Sequence, residues 1–529
     1  MSRPNPVPAT ASWGPFTYRV KPGMASYPHL MALPTSVEPL RLRDHLSSPR
    51  GLGALARAPY TGAAGGAACG DLIRVSVSAS GDRVTQAGFE ARGCGAVRAA
   101  GSAVVGLVEG EHVLHAARLT PADVAGELGG LAPAAMHAAE LAADALHRAL
   151  GMAARDGSVE VAAASGRTVV AMSGGVDSAA AAQIALDGGE EVIAVTLELW
   201  SDPATDGEKS CCSPQAVTGA RALAHRMGLP HFTLDLRERF RADVVEDFLD
   251  GYAGGGTPNP CVRCNGLVRF DAMLDLTRRL GSGRLATGHY ARVFDDGEGP
   301  LVRTAADPAK DQSYVLARLD GDELSRLRFP LGELEKARVR ELAGAAGLPV
   351  ARKPESQDLC FLAGSGSRAF MQRHGDERVH GAERGGDIVD RRGNVLGTHG
   401  GHHRFTVGQR RGIGVAAAEP LFVLAKDAER NRVVVGPRSE LATSRVVMAP
   451  GVLHRAGERA DSVRLRYHAP AVPCSLDEDP EAGAQRQISA RLRREVAAAA
   501  PGQTACLMDG ELVVGWGTLQ TSGDGVNGV

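Results

Sequence analysis

The stretch Val169-Val170-Ala171-Met172-Ser173-Gly174-Gly175-Val176-Asp177-Ser178 constrains this chain more than any other. A short apolar run reads as a strand, the glycine pair as a tight turn, and the Ala-rich residues 179–186 as a helix that starts at once. Such a turn aims backbone N–H groups and the positive end of a helix at one point, which suits a phosphate or pyrophosphate. Ser173 and Ser178 add hydroxyl donors. Asp177 is out of place beside an anion unless it holds a metal ion or a helix-start N–H. No lysine follows the last glycine, so the loop is not of the Walker type and does not announce a GTPase or kinase.

The same alternation continues. Strands are expected at 168–172, 191–197, 231–235 and 284–287, with helices at 179–186, 214–227 and 239–252. Alternating strands and helices imply a doubly wound parallel sheet with ligands at the carboxyl ends of its strands. At 529 residues the chain exceeds one core, so further domains are expected. Net charge is −2, so any nucleic-acid contact must come from local patches. No apolar run reaches the length of a membrane span, and residues 1–39, rich in Pro and Ser, lack the apolar core of a secretory signal. A disordered leader, a cytoplasmic location and no membrane partner are the expectation. The nine cysteines then point to catalysis or metal rather than to a disulfide framework.

Residues 40–155 read as a separate α+β domain, with strands at 72–78 and 83–89 and helices at 96–108 and 133–150. Cys69, Asp71, Cys94 and His137 could hold zinc or an iron–sulfur cluster, or be two buried cysteines and a surface histidine. The order Asp44-His45…Ser48-Pro49-Arg50, Ala68-Cys69-Gly70-Asp71, Gly93-Cys94-Gly95 and Met136-His137 resembles the IscU/NifU-like iron–sulfur scaffold family. That family has a cysteine directly after the histidine. Ala138 stands there instead, so the resemblance implies an incomplete three-cysteine site, suited to docking or storage as much as to cluster assembly.

Residues 257–265, Thr-Pro-Asn-Pro-Cys-Val-Arg-Cys-Asn, place Cys261 and Cys264 at C-x-x-C spacing, and Cys360 lies in Ser356-Gln357-Asp358-Leu359-Cys360-Phe361. A redox pair, a zinc half-site and cluster ligation all remain open on spacing alone. Cys211 and Cys212 read as accessory, and Cys474 and Cys506, in strand-like surroundings, as packing residues.

The Ser-Gly-Gly-Val-Asp-Ser loop resembles the pyrophosphate loop of the ATP-pyrophosphatase superfamily. Nine ordered motifs from 167 to 519 resemble the tRNA-specific 2-thiouridylase family (MnmA/TrmU). The resemblance implies ATP with Mg²⁺ at Ala171, Met172, Ser173, Gly174, Gly175, Val176, Asp177, Ser178, Leu197 and Gly288. The wobble uridine of tRNA would be adenylated there. It implies Cys264 as nucleophile and Cys360 as persulfide carrier, joined in a disulfide after sulfur transfer. It further implies tRNA contacts at Asn259, Pro260, Cys261, His289, Lys310, Asp311, Gln312, Arg466, Tyr467 and Gln503, and a cysteine desulfurase or sulfur-relay protein as donor. Some relatives carry Asp where Cys261 stands. A [4Fe–4S] cluster on Cys261, Cys264 and Cys360 is therefore a second expectation.

The domain plan expected is a leader (1–39), the scaffold-like domain (40–155), a linker (156–166), a PP-loop catalytic domain (167–380), a small β domain (381–440), a C-terminal β-barrel (441–520) and a frayed tail (521–529). Another adenylating ligase of the PP-loop class and an iron–sulfur or sulfur-trafficking scaffold are the alternatives.

Overall fold

The protein is described from a computed structural model, over residues 40–53, 55, 59–65, 70–202, 213–354, 359–362, 364–375, 379, 385–497 and 499–521. Cys69, Cys211, Cys212 and residues 356–358 lie outside the described residues, as do 1–39.

The N-terminal part runs α1 (Leu40–Ser47), β1 (Tyr60–Gly65), β2 (Leu72–Ser80), β3 (Arg83–Arg92), α2 (Gly95–Val108), α3 (Val113–Ala116), α4 (Pro121–Glu127) and α5 (Met136–Asp156). Its three strands form an antiparallel sheet in the order β1-β2-β3. Then come β4 (Arg167–Ala171), α6 (Val176–Asp187), β5 (Glu191–Glu198), α7 (Pro214–Arg226) and β6 (His231–Asp235). Next are α8 (Arg237–Phe240), α9 (Glu246–Ala253), α10 (Pro260–Cys264), α11 (Phe270–Arg279) and β7 (Leu285–Thr287). A hairpin of β8 (Arg292–Asp295) and β9 (Pro300–Arg303) follows, then α12 (Gly321–Arg326), β10 (Leu327–Arg328) and α13 (Lys336–Ala345).

The five-stranded sheet is parallel throughout and ordered β10-β7-β4-β5-β6. Chain order therefore reverses between β4 and β7, and the crevice above their carboxyl ends is the ligand position of this fold class. The strands expected at 168–172, 191–197, 231–235 and 284–287 are found within a residue or two. The stretch 324–348 reads as two helices split at 329–332, and the fifth strand, β10, lies inside the first of them, because two residues are too few to carry a strand pattern.

Beyond residue 385, Gly386–Val389, Val395–His399, Phe422–Asp427 and Arg432–Gly436 form a four-stranded sheet. A closed barrel follows: Ala442–Leu453, Ile488–Ala497, Val472–Leu476, Ser462–Arg464, Thr504–Asp509 and Leu512–Leu519 pair in turn, and the last returns to the first. The β8–β9 hairpin adds to the same sheet through Arg303 and Leu512.

Helix α5 joins the N-terminal sheet to the parallel one. Toward β1 it meets Gly62, where an added Cβ would lie 2.0 Å from the Ala145 carbonyl oxygen. Toward β6 it offers Gly151, where an added Cβ would lie 1.9 Å from the Thr233 carbonyl oxygen. Strand β6 is the edge of its sheet, and its His231 N–H donates to the Ala117 carbonyl at 2.9 Å. The N-terminal domain thus covers an edge that would otherwise be an open pairing template. One continuous apolar core runs from Val75 and Leu146 to Ile193 and Phe232. Gly151→Val should lower stability by about 3 kcal/mol, since helix and strand backbones must part. Gly126→Ala in α4, where a Cβ meets nothing within 4 Å, should raise it by up to about 1 kcal/mol. Thermal melts of the two variants test this.

Three histidines meet at this junction: His147 of α5, His225 of α7 and His231 of β6, with ring centroids 5.0 to 6.5 Å apart. Their Nε2 atoms lie 2.9 Å from Leu119 O, 3.1 Å from Ala117 O and 2.8 Å from Thr196 Oγ1. Burial lowers the pKa of each, and the neighbouring Arg221 lowers it further. The unfolded chain takes up protons near pH 6.5 and the folded chain does not, so stability must fall as pH drops below that value. Each histidine can contribute up to about 1.4 kcal/mol per pH unit. Melting temperatures between pH 7.5 and 5.5 should fall steeply, and less so in His231→Gln.

Candidate active site

The strand β4 ends at Ala171 and α6 starts at Val176, so the Ser173-Gly174-Gly175 turn spans the gap. Gly174 takes φ +71°, a conformation that glycine adopts without a Cβ penalty. Ser173 N–H donates to Ser178 Oγ at 3.1 Å, and that hydroxyl donates to Gly175 O at 3.2 Å, so the loop is shaped by its own serines. Across the switch point, Gly288 follows β7 so closely that a Cβ would lie 2.7 Å from Ser178 N. The two loops together form the floor of a cavity of about 720 Å³, a volume typical of small-molecule sites.

Asp177 caps no helix. Gly175 is the N-cap of α6 and makes no side-chain cap bond. Instead both Asp177 oxygens accept from Lys336 Nζ, at 2.7 and 2.8 Å, and Tyr290 donates its hydroxyl to Oδ1 at 2.8 Å. The negative charge that looked awkward beside an anion is compensated by an ammonium 159 positions along the chain. Lys353 Nζ donates to Gly174 O at 3.0 Å and lines the cavity, as do Arg269 and Lys310. Of the six lysines in a chain with 53 arginines, three thus brace or line this cavity. His289 lines it too. Burial, and then Arg269, push its pKa down to about 3, so it is a neutral imidazole, with Nδ1 2.8 Å from Thr287 Oγ1.

Among the residues expected from sequence, Ala171, Met172, Ser173, Gly175, Val176, Asp177, Ser178, Leu197, Gly288, His289, Lys310, Gln312 and Tyr467 share this cavity. Gly174 shapes the turn behind them. Asp311 is buried: it accepts from Ala305 N, Ser313 N and Ser313 Oγ, and pairs with Arg464 at 2.6 Å. Its carboxylate braces the turn that presents Lys310 and Gln312. Gln503 donates to Thr257 O at 2.6 Å, which ties the barrel to the 257–259 loop. The short run 464–468 suggests a strand, yet the strand ends at Arg464, and Arg466, Tyr467 and His468 form a turn. Arg269, Lys353 and His468 carry no expectation from sequence, for no local pattern marks them, while Tyr290 and Lys336 lie in motifs of the family resemblance that assign them no role.

Asn259 is the N-cap of α10, its Oδ1 accepting from Cys261 N and Val262 N, with Pro260 in the first turn. This places Cys261 and Cys264 one turn apart on one helix, and a π-helical segment, Asn265–Arg269, begins directly after Cys264. Cys264 is 5% exposed, and Cys261 and Cys360 are half-buried against the same core. Cys474 and Cys506 are buried in barrel strands, and burial pushes their thiols up to about 11 and about 12.

The N-terminal domain holds a second cluster. Asp71 is buried and accepts from Cys94 N at 2.9 Å and from Cys94 Sγ at 3.0 Å, and its Oδ2 lies 2.9 Å from His137 Nε2. Gly93 is required: a Cβ there would lie 1.9 Å from Asp71 Oδ1. Burial, and then the Asp71 hydrogen bond, raise the Cys94 thiol; the same carboxylate raises His137. Among the described residues, this is the group whose His, Cys and acidic ligand atoms all lie within 4.8 Å of one another. A sulfur, a nitrogen and an oxygen donor so close fit a divalent ion such as zinc. Ala138 is fully buried in the helix and offers no ligand.

Fold and cavity define an ATP-using enzyme of the PP-loop class, carrying a scaffold-like domain in which Asp71, Cys94 and His137 meet. Family models match in the same order: NifU-like N terminal domain at 40–156, tRNA methyl transferase HUP domain at 166–364, tRNA methyl transferase PRC-barrel domain at 377–437 and Aminomethyltransferase beta-barrel domain at 449–519. The bifunctional protein NifU/MnmA of Rubrobacter xylanophilus is 44% identical over 492 residues, covering 90% of this chain and 98% of that one. The tRNA-specific 2-thiouridylases MnmA of Geobacter metallireducens and Magnetococcus marinus are 42% and 40% identical, each over 67% of this chain and 97% and 98% of their own. The chain belongs to the bifunctional NifU/MnmA family.

Proposed function

We propose that this chain is a tRNA-uridine 2-sulfurtransferase that thiolates the wobble uridine at the expense of ATP. The observation that carries the reading is one cavity lined by two different parts of the chain. The Ser173 loop and Tyr467 of the barrel turn share it, and Lys310 and Gln312 belong to the same lining. Loop N–H groups and the helix start hold the phosphates, with Lys353, Lys310 and Arg269 as cations around them. A carbonyl oxygen leaves poorly, and adenylation turns it into part of AMP. Tyr467, its ring tilted 50° against His468 with centroids 3.9 Å apart, offers a ring on which an unstacked base can rest. Mg²⁺ would supply charge neutralisation of the triphosphate, and Asp177 is the carboxylate of the cavity lining that could help hold it.

Cys264 is the nucleophile and Cys360 the persulfide carrier, which a desulfurase or relay protein must load. The Cys360 persulfide attacks C2 with its terminal sulfur as AMP leaves, and the Cys264 thiolate then attacks the inner Cys360 sulfur of that C2–S–S–Cys360 adduct, which releases 2-thiouridine and leaves a Cys264–Cys360 disulfide for reduction. Cys261, on the same helix face as Cys264, favours one second reading: that the three cysteines hold a [4Fe–4S] cluster, which would supply a site for sulfide. Anaerobic iron and sulfide assay with Mössbauer spectra tests it. For the function itself, the purified chain with ATP, tRNA and a loaded sulfur donor should yield 2-thiouridine by nucleoside mass spectrometry. Unchanged tRNA with an active donor would overturn the proposal.

In the N-terminal domain, Asp71, Cys94, His137 and, by sequence, Cys69 are the ligands for zinc or a cluster. Among the described residues no helix is long and apolar enough to cross a membrane.

A further inference from the structure

Lys353 stands at a crossing of three parts of the molecule. Its ammonium donates to the carbonyl of Gly174 in the phosphate loop. Its own carbonyl is held by the Arg340 guanidinium at 3.4 Å, and Arg340 also donates to Ala351 O at 2.8 Å. Arg340 lies one turn along α13 from Lys336, which holds Asp177. The main chain at 351–353 is therefore fixed to the same helix that fixes the loop's carboxylate. Pro354 follows, also lines the cavity, and limits Lys353 to extended backbone. Cys360 comes seven positions after Lys353.

We propose that Lys353 binds the phosphate chain of the nucleotide and so couples occupancy of the ATP site to the segment that carries Cys360. The proposal rests on the reading that ATP occupies the Ser173 loop. The phosphate loop offers dipoles but no cation of its own, and a compact ammonium is a good point charge for phosphate oxygens. A loop carbonyl is a neutral acceptor, and a phosphate oxygen is a charged one. When the anion arrives, the ammonium gains by turning to it. Ala351 O stays anchored to α13 by the 2.8 Å bond from Arg340, while the longer 3.4 Å contacts at Lys353 O let that residue shift as its ammonium changes partner. The change of partner is then felt at the first residue of the segment leading through Pro354 to Cys360. Among the cations at the cavity, Lys353 is the one on the chain segment that leads to the sulfur-carrying cysteine.

The test uses the full-length chain and α,β-methylene-ATP, which cannot be split to AMP. Two quantities are read: binding by calorimetry, and the alkylation rate of the Cys360 peptide by mass spectrometry, with and without the nucleotide. In the wild type the nucleotide should bind and change the Cys360 rate. Lys353→Gln should bind about tenfold more weakly, the loss of one charged hydrogen bond. At saturating nucleotide its Cys360 rate should be the same as without nucleotide. Lys353→Arg should regain part of the response. Lys353 is exposed, so these variants keep the fold, which melting curves verify. Wild-type affinity in Lys353→Gln, or a full Cys360 response in it, would overturn the proposal, as would a wild-type Cys360 indifferent to bound nucleotide. Absence of any binding by the wild type would instead overturn the ATP reading beneath it.

Discussion

Cys264→Ala should still release pyrophosphate from ATP in the presence of tRNA, yet form 2-thiouridine on the order of 10³-fold more slowly or not at all. The two outcomes separate because the cavity proposed for ATP and the base is lined by neither Cys264 nor Cys360. Removing the thiol leaves the Ser173 loop, Lys336 and Lys353 as they are. The structural cost is small: a buried cysteine packs as a small hydrophobe, so its truncation to alanine costs about 1–2 kcal/mol. Cys506→Ala provides the contrast. Cys506 is fully buried in the barrel, its thiol is pushed up to about 12, and it should lose a similar stability with no loss of thiolation. Nucleoside mass spectrometry, pyrophosphate release and melting temperature on both variants separate chemistry from packing. Cys360→Ala should match Cys264→Ala in product and, in addition, fail to carry persulfide after loading. Equal thiolation in Cys264→Ala and wild type would overturn the nucleophile assignment.

The form of the 257–265 stretch was not legible: its two prolines suggest an extended loop, whereas Asn259 caps a helical turn that carries Cys261 and Cys264. That Cys506 packs was legible, because its strand-like surroundings are written locally. The phosphate loop was legible for the same reason: Gly174 and the serines that shape the turn lie within six positions. The scaffold-like cluster was legible as residues, though not as geometry, since Asp71 and His137 meet only through the packing of β2 on α5. What could not be read was whatever the topology assembles. Arg269, Lys336 and Lys353 sit in unremarkable local sequence. Lys336 and Lys353 come to the phosphate loop because β10 lies on the far side of β4, and α13 with the residues after it returns to the switch point, while Arg269 comes from the π-helical segment before β7. Likewise the Ala117–His231 pairing that seals the sheet edge has no sequence signal, because it depends on two domains meeting. Asp311 was misjudged for a related reason. A polar Lys-Asp-Gln turn reads as a surface, and only Arg464 of the barrel reveals the carboxylate as buried.

Lys336→Met should reduce adenylation by on the order of 10²-fold, the scale of losing one preorganised charge at a reacting phosphate. In the native site Lys336 is nearly buried and gives both oxygens of Asp177 an N–H donor, while Tyr290 gives a third bond. Without the ammonium, a carboxylate faces the cavity that must receive a triphosphate. Repulsion then adds to the lost attraction, so the KM for ATP should rise and kcat should fall. Asp177→Asn keeps the Tyr290 bond and removes the charge. Its effect distinguishes two roles. If Asp177 serves only to hold Lys336, then Asp177→Asn added to Lys336→Met should cost nothing further and should recover part of the loss, because the repulsion is gone. If Asp177 also helps hold the Mg²⁺ of ATP, the double variant should be worse than Lys336→Met alone and should need more Mg²⁺ for half-maximal rate. The ion pair argues for the first outcome in the free enzyme. The proximity of the carboxylate to the loop argues for the second once nucleotide draws Lys336 toward its phosphates. Pyrophosphate release measured over a range of Mg²⁺ concentrations, for the four members of the cycle, decides between them. A Lys336→Met chain that adenylates at the wild-type rate would remove Lys336 from the chemistry altogether and leave the pair a device of folding.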